Sequence, residues 1–91
     1  MNKRKQIIVK GRVQGVFFRD FTQKKASALG LRGTVRNRRD GSVEIVAQGD
    51  DAVLQELEKW CWEGSPMSNV TGVIVTELSG TQNYSDFRVV Y

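Results

Sequence analysis

The sequence predicts an α+β fold in which two helices cover one face of a mainly antiparallel sheet. Three observations support this prediction. The chain has 91 residues, which is enough for one domain and one core. Its apolar residues change between strand-like and helix-like spacing along the chain. Glycine and polar turn signals separate the segments, so we expect residues 1–91 to form a single domain with strands and helices in a definite order.

The first strand and the first helix are predicted within residues 6–30. Residues 6–11 have an Ile-Ile-Val centre and end at a glycine, which is typical of a strand followed by a bend. After a short loop, apolar residues recur at helical spacing, and Gly30 ends the helix. The residues predicted to face the core from this helix are Phe18, Phe21, Ala26 and Leu29.

A hairpin and a second helix are predicted next. Residues 31–38 form the second strand, Asp40-Gly41 marks the turn, and residues 42–48 alternate as a half-buried third strand does. Residues 49–51 supply a turn glycine and acidic side chains at a helix start. Residues 64–66, with the sequence Gly-Ser-Pro, end this helix. Its predicted apolar stripe contains Val53, Leu57, Trp60 and Cys61.

The last two strands are predicted at residues 70–78 and 87–91, with a polar turn between them. The complete order is strand, helix, strand, strand, helix, strand, with a short extra strand at the end. This order predicts a ferredoxin-like βαββαβ sandwich. The right-handed preference of crossover connections leads us to expect the first and third strands side by side at the centre of the sheet.

Charge is distributed unevenly along the chain. Residues 1–41 contain twelve Lys and Arg against two acidic residues, a net charge of +10, whereas residues 42–91 carry a net charge of −6. We therefore expect a positive face that attracts anions. No apolar stretch is long enough for a membrane span. One cysteine and no histidine predict a cytoplasmic protein without a disulfide, a metal site or a cofactor.

The connection between the first strand and the first helix, Gly11–Arg19, is the most informative segment. Two glycines allow the backbone to curl so that successive N–H groups point inward, and the helix start adds further free donors. Such a cup fits a phosphate, and the planar guanidinium of Arg19 can hold two of its oxygens. The spacing is equally compatible with a tight turn and a solvated Arg19.

The residues Val9, Gly11, Val13-Gln14-Gly15-Val16 and Phe18-Arg19 resemble the first signature of the acylphosphatases, enzymes that hydrolyse carboxyl-phosphate anhydrides. Residues 33–37, Gly-Thr-Val-Arg-Asn, followed by glycines at 41 and 49, are similar to the second signature of that family. The resemblance covers nearly the whole chain in the expected order. Thr34 departs from it, because the family usually has an aromatic residue there.

The resemblance implies a role for each residue of the site. The backbone amides of Gly15, Val16, Phe17, Phe18 and Arg19 are expected to bind the substrate phosphate. The Arg19 guanidinium is expected to bind the phosphoryl oxygens, and Asn37 to orient the attacking water. An acyl phosphate expels a carboxylate with a conjugate-acid pKa of about 4, so no acid catalyst is required. The predicted reaction uses no metal, no cofactor and no phosphoenzyme.

Two other functions are compatible with this topology. The basic half of the chain would suit an RNA-binding domain, although residues 42–48 lack the exposed aromatic residues on which such domains stack bases. A non-catalytic sensor of small anions could use the same cradle without turnover. The favoured prediction is a monomeric enzyme with a small acyl phosphate as its substrate, and with neither a nucleic acid nor a membrane as its partner.

Overall fold

A computed structural model describes residues 2–91 of the chain as a sheet of five strands and two helices. The strands are β1 (Asn2–Arg12), β2 (Arg32–Asn37), β3 (Val43–Asp50), β4 (Asn69–Leu78) and β5 (Phe87–Val89). The helices are α1 (Phe18–Ala28) and α2 (Asp51–Glu63). Every predicted element is present, in the predicted order.

The strands are arranged in the order β4-β1-β3-β2-β5. β1 and β3 are neighbours, as expected, and they pair antiparallel, for example with Ile7 opposite Ile45. Because β2 is also antiparallel to β3, the crossover through α1 joins two parallel strands that have β3 inserted between them. β5 pairs parallel with β2. The predicted α+β, ferredoxin-like fold with its short terminal strand is confirmed.

The core lies between the helices and one face of the sheet. Alternate residues of the central strands point into it, as the twofold repeat of a strand requires. The fully buried apolar members are Ile7 and Val9 of β1, Ala26 of α1, Val35 of β2, Val43, Ile45 and Ala47 of β3, and Leu54, Leu57 and Cys61 of α2. This core fixes the positions of the β1 carboxyl end, the α1 start and the β2 carboxyl end.

All five strands differ from their predicted bounds at one end or both, and the largest difference is at the start of β1. β1 begins at Asn2 instead of residue 6, because its basic residues have partners in the fold: Arg4 donates to the carbonyl of Ser79 at 2.9 Å, and Lys5 reaches acidic side chains of α2. β5 ends at Val89 instead of residue 91. The Val90 N–H still donates to the Val35 carbonyl at 2.9 Å, and Tyr91 then leaves the sheet.

The apolar face of α1 also differs from the prediction at one position. Phe18 and Ala26 are buried, but Phe21 is 39% exposed and Thr22 takes the buried position. The Thr22 hydroxyl donates to the Phe18 carbonyl at 2.8 Å, which satisfies it inside the core. Neither α1 nor α2, the helices of residues 2–91, is long and apolar enough to cross a membrane.

Candidate active site

A cavity of about 270 Å³ lies where the loop after β1, the start of α1 and the end of β2 meet. Four of the predicted phosphate-binding residues and Asn37 contribute to its wall. The lining residues are Val13, Gly15, Phe17, Phe18, Arg19, Asp20, Asn37 and Tyr91. Segments separated by about twenty residues in the sequence are therefore brought together by the β1–α1–β2 crossover.

The loop before α1 has an unusual backbone conformation. Gly15 has φ 74° and Phe17 has φ 61° and ψ 23°, so both adopt the left-handed region. Within residues 2–91, Phe17 is the one non-glycine residue with positive φ. This conformation costs a residue with a side chain about 1–2 kcal/mol. The two left-handed residues curl the loop immediately before the helix begins.

The curled loop leaves backbone donors available. Among the hydrogen bonds of residues 2–91, none is donated by a backbone N–H from Gly15 to Arg19. The first N–H groups of a helix also carry its positive partial charge, so α1 adds to the attraction for an anion. Free amides, a curled loop and a helix start together form a cradle with the properties that phosphate binding requires.

Arg19 lies in the first turn of α1 and is half-buried. Within residues 2–91 its guanidinium makes no ion pair and no side-chain hydrogen bond. The guanidinium lies over the ring of Tyr91, whose centroid is 4.9 Å from the Arg19 Cζ atom. A cation above an aromatic ring keeps its hydrogen-bond donors free. Arg19 therefore presents an unneutralised charge and unused donors to the cavity.

Asn37 is the last residue of β2 and borders the same cavity. Its Oδ1 atom is buried and has no hydrogen-bond partner within residues 2–91. A buried amide oxygen normally has a donor, because leaving it unpaired is unfavourable. The Asn37 side chain lines the cavity, so a rotation that turns Oδ1 toward it would let this atom accept a hydrogen bond from a water molecule there. The side chain is thus available for the role that the sequence predicted for it.

Gln14 links the cradle loop to the turn after Asn37. Its Nε2 atom donates to the carbonyls of Arg38 at 2.7 Å and Ser42 at 2.9 Å. The same turn is closed by Asp40, whose carboxylate accepts a hydrogen bond from the Ser42 N–H at 3.0 Å. Hydrogen bonds from the Ser42 side chain and backbone lower the pKa of Asp40. One side chain therefore couples the position of the cradle to the position of Asn37.

Ser65 holds the cradle from the other side. This buried residue, in the loop after α2, donates its hydroxyl to the Val16 carbonyl at 2.8 Å. Val16 itself does not line the cavity, since its side chain is packed in the core. With its carbonyl bound to Ser65, the peptide between residues 16 and 17 has a fixed orientation. The phosphate-binding role predicted for the Val16 amide stays a prediction.

Cys61 and Thr34, two residues that the sequence analysis singles out, both lie outside the cavity. Cys61 is completely buried in the core, and burial, together with the nearby Glu58 carboxylate, raises the pKa of its thiol to about 12. It therefore remains an uncharged thiol at neutral pH and cannot serve as a ready nucleophile. Thr34 faces away from the cavity, on the side of β2 opposite to Asn37. The departure from the family pattern at Thr34 therefore lies outside the cradle.

Sequence reasoning missed three residues that shape the site: Gln14, Ser65 and Tyr91. In the sequence, Gln14 belongs to a motif, Ser65 to the end of a helix and Tyr91 to the end of a strand, and none of these positions indicates a contact with the site. Gln14 and Ser65 act on carbonyls that lie 24 or more residues away in the sequence. No local spacing predicts such contacts, because they depend on how distant loops pack together.

The fold and the cavity define a small α+β protein with an anion cradle and a free arginine at one end of its sheet. Comparison with known proteins identifies its family. The acylphosphatase family model matches residues 5–89, and the chain belongs to the acylphosphatase family. It therefore has acylphosphatase activity, the hydrolysis of acyl phosphates to a carboxylate and inorganic phosphate. The activity predicted from the sequence is confirmed.

Several relatives support this assignment. An acylphosphatase of Methylococcus capsulatus is 47% identical over 88 residues, which are 97% of this chain and 96% of that protein. An acylphosphatase of Pelotomaculum thermopropionicum is 42% identical with the same coverage. The crystal structure of the Bacillus subtilis acylphosphatase superposes with a TM-score of 0.95, at 45% identity and with full coverage of both chains.

Proposed function

We propose that this chain hydrolyses its acyl phosphate by direct in-line attack of water. The phosphoryl group is held by the cradle amides and by the Arg19 guanidinium, while Asn37 Oδ1 accepts a hydrogen bond from the water and aims it at phosphorus. The observation that carries this proposal is the combination in one cavity of free backbone donors, an unpaired cation and an unpartnered buried Oδ1.

The electrostatics of the cradle suit this reaction. Transfer of a phosphoryl group passes through a loose transition state in which charge is spread over the phosphoryl oxygens. Fixed N–H donors and a guanidinium stabilise that charge without having to reorganise. The leaving carboxylate has a conjugate-acid pKa of about 4, so it departs unprotonated at neutral pH. A phosphoryl oxygen accepts the proton that the attacking water loses.

The proposal requires no enzyme nucleophile, metal or cofactor. An amide such as that of Asn37 orients water through its oxygen but does not form a covalent phosphoenzyme. The raised pKa of Cys61, together with its position in the core, argues against a thiolate mechanism. The positive charge that a metal supplies in other phosphatases comes here from Arg19 and the amides.

The proposal also covers the surroundings of the enzyme. We propose that residues 1–91 form a single domain that acts as a cytoplasmic monomer. Nucleic acid is not a proposed partner. On the outward face of β3, Glu44 accepts a hydrogen bond from Arg36 at 2.8 Å and another from Gln6 at 3.1 Å. The outward-facing residues of β3, which are Glu44, Val46 and Gln48, also offer no aromatic ring on which a base could stack.

The test combines three measurements on the purified protein. Benzoyl phosphate hydrolysis is followed with and without EDTA, and we expect equal rates. An acid quench of the reaction with ³²P-labelled substrate should leave no label on the protein. Salt-dependent binding to an RNA oligomer should be weak. A labelled protein would refute direct water attack. A loss of activity in EDTA that added metal restores would refute the metal-free scheme, and an absence of hydrolysis would refute the proposal in favour of an anion sensor.

A further inference from the structure

Phe17 is the residue of the cavity that the proposed mechanism does not explain. Its ring is 71% exposed, whereas the adjacent Phe18 ring is 1% exposed and belongs to the core. Its backbone is left-handed, a conformation that glycine adopts without strain. Neither core packing nor loop geometry therefore requires a phenylalanine at this position. An exposed aromatic ring on a strained backbone at the rim of a site indicates a function for the ring itself.

The direction of attack indicates what this ring can contact. Asn37 lines both the cradle cavity and a neighbouring basin. Phe17 lines the cradle cavity but not the basin. The basin is also lined by Arg36, Arg38 and Arg39. In an in-line displacement, the attacking water and the leaving oxygen lie on opposite sides of phosphorus. If Asn37 aims the water, the leaving carboxylate and its acyl group face away from Asn37.

We propose that Phe17 forms an acyl subsite, a platform on which the acyl group of the substrate packs during phosphoryl transfer. This inference rests on the proposed function, because it uses the side from which Asn37 directs the water. A flat, exposed ring favours a flat, apolar partner, through burial of apolar surface and through offset stacking. Benzoyl-type acyl phosphates fit the subsite better than acetyl phosphate, whose methyl group covers little of the ring.

A nearby charge narrows the substrate class further. Asp20 lines the same cavity, is exposed, and makes no ion pair within residues 2–91. A carboxylate left unneutralised at the rim repels an acyl group that carries a second carboxylate or phosphate. The subsite therefore selects neutral, planar acyl groups. The arginines that could bind a second anion line the basin on the Asn37 side, away from the expected position of the leaving group.

The experiment compares two substrates and uses a ratio, so that changes in the cradle common to both substrates cancel. The values of kcat/KM for benzoyl phosphate and acetyl phosphate are measured for the parent and for Phe17→Gly, which keeps the left-handed backbone accessible. We expect the benzoyl-to-acetyl ratio to fall about three- to tenfold. Phe17→Tyr should retain the parental ratio. Trp62→Ala, which removes another exposed aromatic residue outside the cavity, is the matched control and should also retain it.

Binding of stable analogues separates this inference from the proposed mechanism. Benzoylphosphonate and acetylphosphonate are titrated into the parent and into Phe17→Gly by NMR or calorimetry, with no turnover involved. If Phe17→Gly binds benzoylphosphonate more weakly than the parent does but binds acetylphosphonate equally well, the platform is supported even if the catalytic assignments are wrong. An unchanged ratio in both the kinetic and the binding assay would overturn the platform while leaving the mechanism intact. A parent that binds both analogues but hydrolyses neither substrate would overturn the mechanism alone.

Discussion

Two cations near opposite ends of β1 are treated differently by the fold. Near its start, the Lys5 ammonium lies 2.9 Å from a Glu58 carboxylate oxygen and 3.1 Å from an Asp51 oxygen, and its side chain is 12% exposed. Beyond its other end, Arg19 has no carboxylate partner within residues 2–91 and lies against the Tyr91 ring. The first cation is neutralised within the fold, and the second is left available.

We interpret this difference as one between a structural charge, Lys5, and a charge proposed to be functional, Arg19. An ion pair that is mostly removed from water contributes to stability only when both charges are well partnered, as Lys5 is. An unpaired cation beside a cavity contributes little to stability but attracts an anion. The contrast predicts that substitutions at Arg19 change activity much more than stability, and that substitutions at Lys5 do the reverse.

The largest expected effect is on catalysis at Arg19. Arg19→Lys keeps one positive charge but loses the planar, two-pronged contact with phosphoryl oxygens. We expect kcat/KM for benzoyl phosphate to fall about a thousandfold, the scale for losing an arginine that stabilises phosphoryl transfer. Inhibition by inorganic phosphate should weaken in parallel. Parental phosphate inhibition in this variant would show that the guanidinium does not anchor the substrate.

The next largest effect is expected at Asn37, where the unpaired group is an amide instead of a cation. Asn37→Ala removes the oxygen that we propose aims the water but leaves the cradle and Arg19 in place. We expect kcat to fall about a hundredfold, as for the loss of one preorganised polar group. Phosphate inhibition should stay near the parental value, and the thermal unfolding midpoint should not fall. Near-parental turnover would remove Asn37 from the mechanism.

Lys5→Met tests the other side of the comparison. It removes the ammonium and leaves the Glu58 and Asp51 carboxylates without their shared partner. We expect a loss of about 1–2 kcal/mol in the free energy of unfolding, measured by urea denaturation, with kcat/KM within about twofold of the parent. Loss of activity without loss of stability would contradict the separation of roles.

The pH dependence of stability sharpens the same contrast. The hydrogen bond from Lys5 lowers the pKa of Asp51. The contribution of the Asp51 carboxylate to the free energy of unfolding is therefore present above its unfolded pKa of about 3.9 and is lost as the pH falls through its folded pKa. Burial by itself would lower the pKa of Lys5, but hydrogen bonds to Glu58 and Asp51 raise it above its ordinary value. The Lys5 contribution is therefore present below about pH 10 and is lost above its folded pKa. Urea denaturation should show that Lys5→Met loses less of its neutral-pH stability than the parent does, both at acid pH and at alkaline pH.

Much of this organisation was accessible from the sequence because it depends on local patterns. Short apolar segments bounded by turn residues, one of them alternating, predicted all five strands, and the glycine-containing loop before a helix indicated an anion cradle. Arg19 and the cradle residues are close in sequence, so their proximity needed no tertiary information. Asn37 was reached through the resemblance to a known family, and the crossover then explained why it lies beside the cradle.

The remaining features depend on tertiary packing. Phe21 and Thr22 are adjacent on α1, and sequence favoured the phenylalanine for the core, but the threonine can bury its hydroxyl by bonding to the Phe18 carbonyl. The link from Ser65 to the Val16 carbonyl spans 49 residues and has no sequence signature. Such contacts appear only when the loops of the folded protein meet at the end of the sheet.

Tyr91 gives the smallest and most discriminating test of the comparison, because it occupies the position beside Arg19 that acidic side chains occupy beside Lys5. A ring restrains the guanidinium through a cation–π contact of about 0.5–1 kcal/mol without neutralising it. Tyr91→Leu should therefore weaken phosphate inhibition about two- to fivefold, whereas Tyr91→Phe should match the parent. Tyr91→Glu supplies a carboxylate in place of the ring and should lower phosphate affinity further, because a neutralised Arg19 no longer attracts the anion. If inorganic phosphate inhibits the Tyr91→Leu and Tyr91→Glu variants as strongly as it inhibits the parent, the availability of Arg19 does not depend on this neighbour.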